Sequence, residues 1–238
     1  MPTVDDRAGK ADVILLDYNG VVVNDEPIHF SALRDTLATE GIAVDEASYF
    51  ADFLGFDDRA CIVEAFRRSG KALEAAALLR LAADKARRYA DRVRGGLPLV
   101  PGVREFVRAA AEVAHLAVVS GALRREIGAG LQQAGIAKWV ECIISAEDVA
   151  HPKPDPAGHR LALAMLANGR PAMRTLVVED SHPGLAAARA LGAGCAMLTT
   201  TYGAREVTGA DVVWDSFDRH LPGELTPFMR EVPTAAGA

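Results

Sequence analysis

No stretch of this chain approaches the roughly 20 consecutive apolar residues needed to span a bilayer. Its opening, MPTVDDRAGKAD, has neither the basic segment nor the apolar core of a secretory signal. Cysteine is scarce. Cys61, Cys142 and Cys195 are widely spaced and set among apolar neighbours, which suits buried reduced thiols better than a disulfide framework or a zinc site. Internal repeats and low-complexity tracts are absent. Basic residues are outnumbered, 26 Lys and Arg against 32 Asp and Glu, and the formal net charge of −6 directs nothing toward nucleic acid or an anionic membrane. A cytoplasmic protein is expected, with neither nucleic acid nor membrane as partner.

What the chain does have is length and apolar content. Its 238 residues, 50% of them hydrophobic, suffice for one large α/β domain or for a medium core with an insertion. Strand-like runs fall at residues 12–17, 115–120, 140–145, 174–179, 194–199 and 211–214. Between most of them lie helix-like segments, Leu123 to Ala134, Pro156 to Asn168 and Pro183 to Leu191, with Gly135, Gly169 and Gly192 where C-terminal caps would fall. Repeated βα units with short connections imply a parallel sheet with helices on both faces.

The alternation fails after the first strand, where several helical runs and no convincing strand occur. That excess reads as an inserted all-helical domain over residues 25–98, leaving 1–24 and 99–238 as the core. Asp25 can cap a helix that has Pro27 in its first turn and stops at Gly41. Further on, Leu79, Ala82, Ala86, Tyr89 and Val93 form a stripe suited to helix packing, ended by Gly95 and Gly96. Beyond the insertion, Val103, Phe106, Val107 and Ala110 share the face of a helix that returns the chain to the core, and the tail past Met229 is expected to be disordered.

Two segments suggest chemistry together. VILLDYNGVVVNDEP carries Asp17 at the end of one apolar run, and TLVVEDSHPG carries Glu179 and Asp180 at the end of another. In open parallel sheets ligands bind beyond the carboxyl ends of such strands, so a carboxylate nucleophile beside a cation is a natural reading. Ser120 ends HLAVVS, and Lys153 lies between two prolines in HPKPDP. Each has a plainer explanation: Asn19-Gly20 as a hairpin turn, Ser120 as a helix cap, Lys153 as a solvated side chain, and the acidic pair as a cap for the helix near His182. Their common order along one sheet edge favours the shared site.

With DYNGVVVNDEPIH, VVSGA, HPKPDP and VVEDSHPGLAAARALG in that order, the chain resembles the haloacid dehalogenase superfamily, and within it the phosphatases and phosphomutases with a helical cap. The resemblance implies a Rossmann-like core with that cap inserted, and action on a small phosphorylated metabolite by a monomer or dimer. It also implies that Asp17 attacks phosphorus, being ionised at neutral pH without an activating base. Mg²⁺ would be held by Asp17, the Asn19 backbone carbonyl and Asp180, an oxygen-only set that suits a hard cation. Glu179 would hold a metal-bound water or orient Lys153, while Ser120 and the Gly121 amide would join Lys153 in binding phosphoryl oxygens.

The chain departs from the family at Asn19, where most of these phosphatases carry an aspartate that protonates the leaving oxygen and activates water. An amide cannot exchange a proton usefully at neutral pH. Losing a general acid and base costs about 10²- to 10⁴-fold, or roughly 3 to 5 kcal/mol of barrier. A weakened phosphatase, a phosphoryl carrier or mutase-like enzyme, and a phosphate-binding sensor all follow as expectations. Deamidation of Asn19-Gly20 is disfavoured by a buried loop. In the insertion, Glu26, Leu54, Phe56 and Arg59 are the expected substrate contacts, and Glu26 a candidate proton donor. Lys71 and Lys85 read as solvated surface, and His29, His151 and His182 as packing or surface residues.

Overall fold

The computed structural model describes residues 12–53 and 58–234, in two compact units: one up to Asn24 and from Pro98 onward, the other Asp25–Leu97. Leu54 and Phe56 lie outside the described residues. No helix among those described is long and apolar enough to cross a membrane.

The first unit is an α/β sandwich around one sheet. Its strands are β1 (Asp12–Leu16), β2 (Ala114–Val119), β3 (Cys142–Ile144), β4 (Ala172–Glu179), β5 (Gly194–Leu198), β6 (Val212–Trp214) and β7 (Arg230–Pro233). Six of them run parallel in the order β3-β2-β1-β4-β5-β6. The seventh corrects the expected disorder past Met229: β7 pairs antiparallel with Ala172–Thr175 of β4, while β5 pairs with Leu176–Glu179 of the same strand. The long β4 therefore serves two neighbours on one edge.

Successive side chains of the central strands point to opposite faces. Val13, Leu15, Ala117, Val119 and Val177 join the core under α7 (Ala157–Leu166) and α8 (His182–Leu191). Ile14, Leu16, Leu116, Val118, Leu176 and Val178 are equally buried on the other face, where α5 (Val103–Val113) packs against β2 with Val103, Phe106, Val107 and Ala110 inward. Each such side chain contributes about 1.5–3 kcal/mol by leaving water. α6 (Arg124–Gln133) completes the unit. Gly135 and Gly192 take the positive φ of a helix end, 71° and 84°.

The second unit consists of α1 (Glu26–Ala38), α2 (Glu46–Asp52), α3 (Asp58–Ser69) and α4 (Ala75–Arg92), around Phe30, Leu33, Leu37, Tyr49, Ile62, Phe66 and Leu81. Three sequence expectations fail here. The buried face of α4 is centred on Leu81 and Lys85, with Leu78 and Ala82 partly covered, whereas Leu79 is 57% exposed and Ala86 is exposed too. Lys85 is not solvated: at 2% exposure its ammonium pairs with Asp58 and lies 2.6 Å from His29 Nδ1. Lys71 does stay at the surface, donating to the Glu40 and Gly41 carbonyls. Asp25 starts α1 without capping it; its carboxylate instead accepts from the Tyr89 hydroxyl at 2.6 Å.

One buried polar group in the first unit has a measurable cost. His159 on α7 is 1% exposed, its Nδ1 has no hydrogen-bond partner, and burial, aided by the Lys153 charge, pushes its pKa down to about 3. The folded chain therefore refuses a proton that the unfolded chain accepts below pH ~6.5, so stability falls as pH drops through that window. His159→Leu should narrow the stability loss between pH 7.5 and 5.5 by about 1.4 kcal/mol, read from urea unfolding at both pH values.

Candidate active site

The chain runs from β1 to β2 and β3 on one side, then crosses back to β4 on the other side of β1. Strand order thus reverses between β1 and β4, the position where open α/β sheets place their ligands. Asp17 follows β1 directly, and its amide donates to Val178 O at 3.0 Å, which locks the carboxylate beside the end of β4. Asp17 Oδ1 accepts from the Tyr18 amide (2.7 Å), and Oδ2 lies 3.1 Å from Lys153 Nζ.

Lys153 also donates to Glu179 Oε1. Glu179 is wholly buried, and its Oε2 accepts from the Asp180 amide (3.2 Å), the Ser181 amide (3.3 Å) and Ser181 Oγ (2.9 Å). Ligand atoms of Asp17, Glu179 and Asp180 lie within 4.8 Å of one another. Burial and the neighbouring Asp17 charge raise the Glu179 pKa against the pull of Lys153. Burial raises that of Asp180 well above the usual carboxylate range, with the Glu179 and Asp17 charges adding to it. For Lys153, burial acts to lower the pKa, but the Asp17 and Glu179 charges together outweigh it and hold the ammonium above its ordinary value. Three carboxylates facing one ammonium form an oxygen-rich, net negative cluster, a donor set that fits a hard divalent cation.

Three of the plainer explanations give way, while Asn19-Gly20 does form a turn. Ser181, not the acidic pair, caps α8, accepting from the Gly184 amide at 3.1 Å. Ser120 does not cap α6, whose N-cap is Leu123. Lys153 has only 15% of its side chain exposed. Asn19-Gly20 forms a compact turn in which the Val22 and Val23 amides both return to Tyr18 O (2.8 and 3.1 Å) and Gly20 N donates to Val23 O (2.6 Å). That last bond engages the nitrogen that would have to attack the Asn19 side chain in deamidation.

Lys153 therefore contacts both Asp17 and Glu179, Asp180 lies beside these two carboxylates, and Asn19 sits in the turn that follows Asp17. Ser120 is buried at the end of β2, its amide bonded to Ile144 O (2.9 Å), and the exposed Gly121 follows it along the same sheet edge. Glu26 and Arg59 belong to the second unit: Glu26 accepts from the Tyr49 hydroxyl, and Arg59 is exposed on α3. Sequence reading missed Ser181, Thr200 and Thr201. The threonines were discoverable as polar residues immediately after a buried strand on the same sheet edge.

Comparison with known proteins agrees with this fold. The haloacid dehalogenase-like hydrolase family matches residues 11–192, and the chain belongs to that family. It is 32% identical to a plasmid-borne phosphoglycolate phosphatase of Cupriavidus necator, over 93% of this chain and 96% of the relative. It is 36% identical to the plasmid-borne CbbY protein of the same organism over 64% of this chain, a match that spans 60% of that relative's length. A crystal structure of CbbY from Rhodobacter sphaeroides in complex with phosphate superposes with a TM-score of 0.70 at 26% identity, covering 87% of this chain and 95% of that one.

Two glycines test how closely backbone and carboxylates are fitted. A Cβ on Gly184 would collide with the Glu179 carboxylate, whereas one on Gly128 of α6 would meet nothing within 4 Å. Gly184→Ala should cost about 1–3 kcal/mol by overpacking. Gly128→Ala should be neutral or stabilise by about 0.5–1 kcal/mol through helix propensity. Urea unfolding of both variants reads the contrast.

Proposed function

We propose that this protein is a Mg²⁺-dependent phosphatase acting on a small phosphorylated metabolite through an aspartyl-phosphate on Asp17, with turnover held down by Asn19. The observation that carries this reading is the Asp17 carboxylate at the reversal point of the sheet, 3.1 Å from a Lys153 ammonium that Glu179 also grips. Phosphatase and phosphate-complexed relatives support the substrate class.

In this mechanism an Asp17 carboxylate oxygen attacks phosphorus, and the ester oxygen departs with the bonding pair. Lys153 supplies positive charge to the transferring phosphoryl group, and Ser120 with the Gly121 amide offers hydrogen bonds to its oxygens. Water then attacks phosphorus, releasing orthophosphate and restoring the Asp17 carboxylate. Asp17, Asp180 and the Asn19 carbonyl would hold Mg²⁺, with Glu179 in support, chiefly by fixing Lys153. When bound, the ion neutralises charge on the phosphoryl group and its carboxylate neighbours. Asn19 can orient either oxygen by hydrogen bonding but cannot give or take a proton, so both half-reactions lack their usual acid and base. That same residue favours a second reading, a phosphoryl carrier or phosphate-binding sensor that keeps the site and forgoes rapid hydrolysis.

Phosphate release from an activated aryl phosphate and a panel of phosphorylated metabolites, with Mg²⁺ and with EDTA, distinguishes the readings. The wild type should turn over slowly and only with metal, Asp17→Asn should be inactive, and Asn19→Asp should gain about 10²- to 10⁴-fold. Turnover by Asn19→Asp alone would favour the carrier or sensor, and silence from all three would sink the site.

A further inference from the structure

The loop that leaves β5 is tied at both ends. Thr199 N donates to Trp214 O (2.9 Å), extending the ladder with β6, and Gly203 N donates to Glu206 Oε2 (2.9 Å). Between these ties, three consecutive side chains reach three different parts of the site. Thr200 Oγ1 donates to Gly20 O (2.6 Å) in the turn after β1. Thr201 Oγ1 donates to Asp180 Oδ2, and the Tyr202 ring lies against His182 at the start of α8, with ring centroids 4.3 Å apart.

We propose that Thr201 is a positioning residue for Asp180 as a cation ligand, with Thr200 as its counterpart on the Asn19-Gly20 turn. The carboxylate torsion of an aspartate is soft and broad, so neither oxygen is aimed by the backbone alone. A hydroxyl has one proton to give. Bonded to Oδ2, it fixes the carboxylate plane and with it the direction in which the remaining lone pairs are offered to the cluster. Thr200 holds the Gly20 carbonyl in the same way, and with it the Gly20-Val21 peptide, one residue beyond the Asn19 carbonyl. Because both hydroxyls belong to one loop, they also set the separation between the two ligand-bearing segments. Gly20 fits this arrangement: its φ is +70°, and a Cβ there would collide with Asp180.

This inference rests on the reading of Asp180 as a Mg²⁺ ligand, and the test separates the two. Mg²⁺ and Ca²⁺ are titrated calorimetrically into metal-stripped wild type, Thr201→Val, Thr201→Ala and Thr201→Ser, with circular dichroism to confirm folding; the alanine variant stands in if valine disturbs the loop. Mg²⁺ demands near-ideal octahedral geometry and Ca²⁺ tolerates irregular sites, so a misaimed carboxylate penalises Mg²⁺ more. Loss of the hydroxyl should weaken Mg²⁺ binding about 10- to 100-fold. Ca²⁺ should lose clearly less, and Thr201→Ser should retain wild-type affinity. No loss, or an equal loss for both ions, overturns the positioning role. A wild type that binds neither ion overturns the assignment of Asp180 as a ligand, and the positioning role with it.

Discussion

The Lys153 ammonium, placed between Asp17 and Glu179, is the interaction on which the rest of the site depends. Like charges about 4 Å apart repel by roughly 4 kcal/mol at an effective dielectric of 20, and here three carboxylates share a buried space. One ammonium in contact with two of them offsets part of that repulsion, and its own desolvation is compensated by the same two charges. The ion pair also has an architectural consequence. Asp17 ends β1 and Glu179 ends β4, so the lysine joins the two strands where the chain order reverses, at the end of the Asp12–Leu16 and Arg174–Val178 register. Charge compensation and sheet topology impose the same geometry.

Much of this was legible in the sequence because it depends on local signals that repeat. The buried strands are continuous apolar runs, and Gly135 and Gly192 end the helices before them in the left-handed conformation that glycine alone adopts cheaply. Asp17, Ser120, Lys153 and the Glu179-Asp180 pair could be grouped because strand ends in a parallel sheet share one edge. What escaped had no local signal. The β7 strand is four residues long, ends in proline and buries only Val232, so its strand character comes from the free length of β4. On α4, Leu78, Leu79 and Leu81 allow two competing stripes, and packing against α1 and α3 selects the one that buries Leu81. Lys85 reads as polar, yet Asp58 and His29 meet its head group and let its methylenes be buried.

The compact turn after Asp17 separates structure from chemistry at Asn19. Its backbone hydrogen bonds join Tyr18, Gly20, Val22 and Val23, and none of these bonds requires an acid at position 19. An aspartate and an asparagine are nearly isosteric, so the turn tolerates either, while the proton inventory of the site changes by one group. Under the proposed function the residue at position 19 bears on rate, while the contacts of Lys153 with Asp17 and Glu179 do not depend on it.

Close fitting of backbone to carboxylate explains why small and hydroxyl-bearing residues gather here. Gly20 admits Asp180 and Gly184 admits Glu179 because neither has a Cβ. Ser181 serves twice, donating to Glu179 and accepting from Gly184, so capping α8 and holding the carboxylate are one act. Each acidic oxygen with an assigned donor loses freedom to rotate, and the repulsion among the carboxylates is thereby held in a fixed arrangement rather than relieved by side chains swinging apart. Under the proposed Mg²⁺ site, a cluster restrained in this way is preorganised for added positive charge, and a cation of the right size would gain the attraction without first reorganising its ligands. Substitutions at the restraining residues should accordingly act on cation affinity and geometry before they act on the fold.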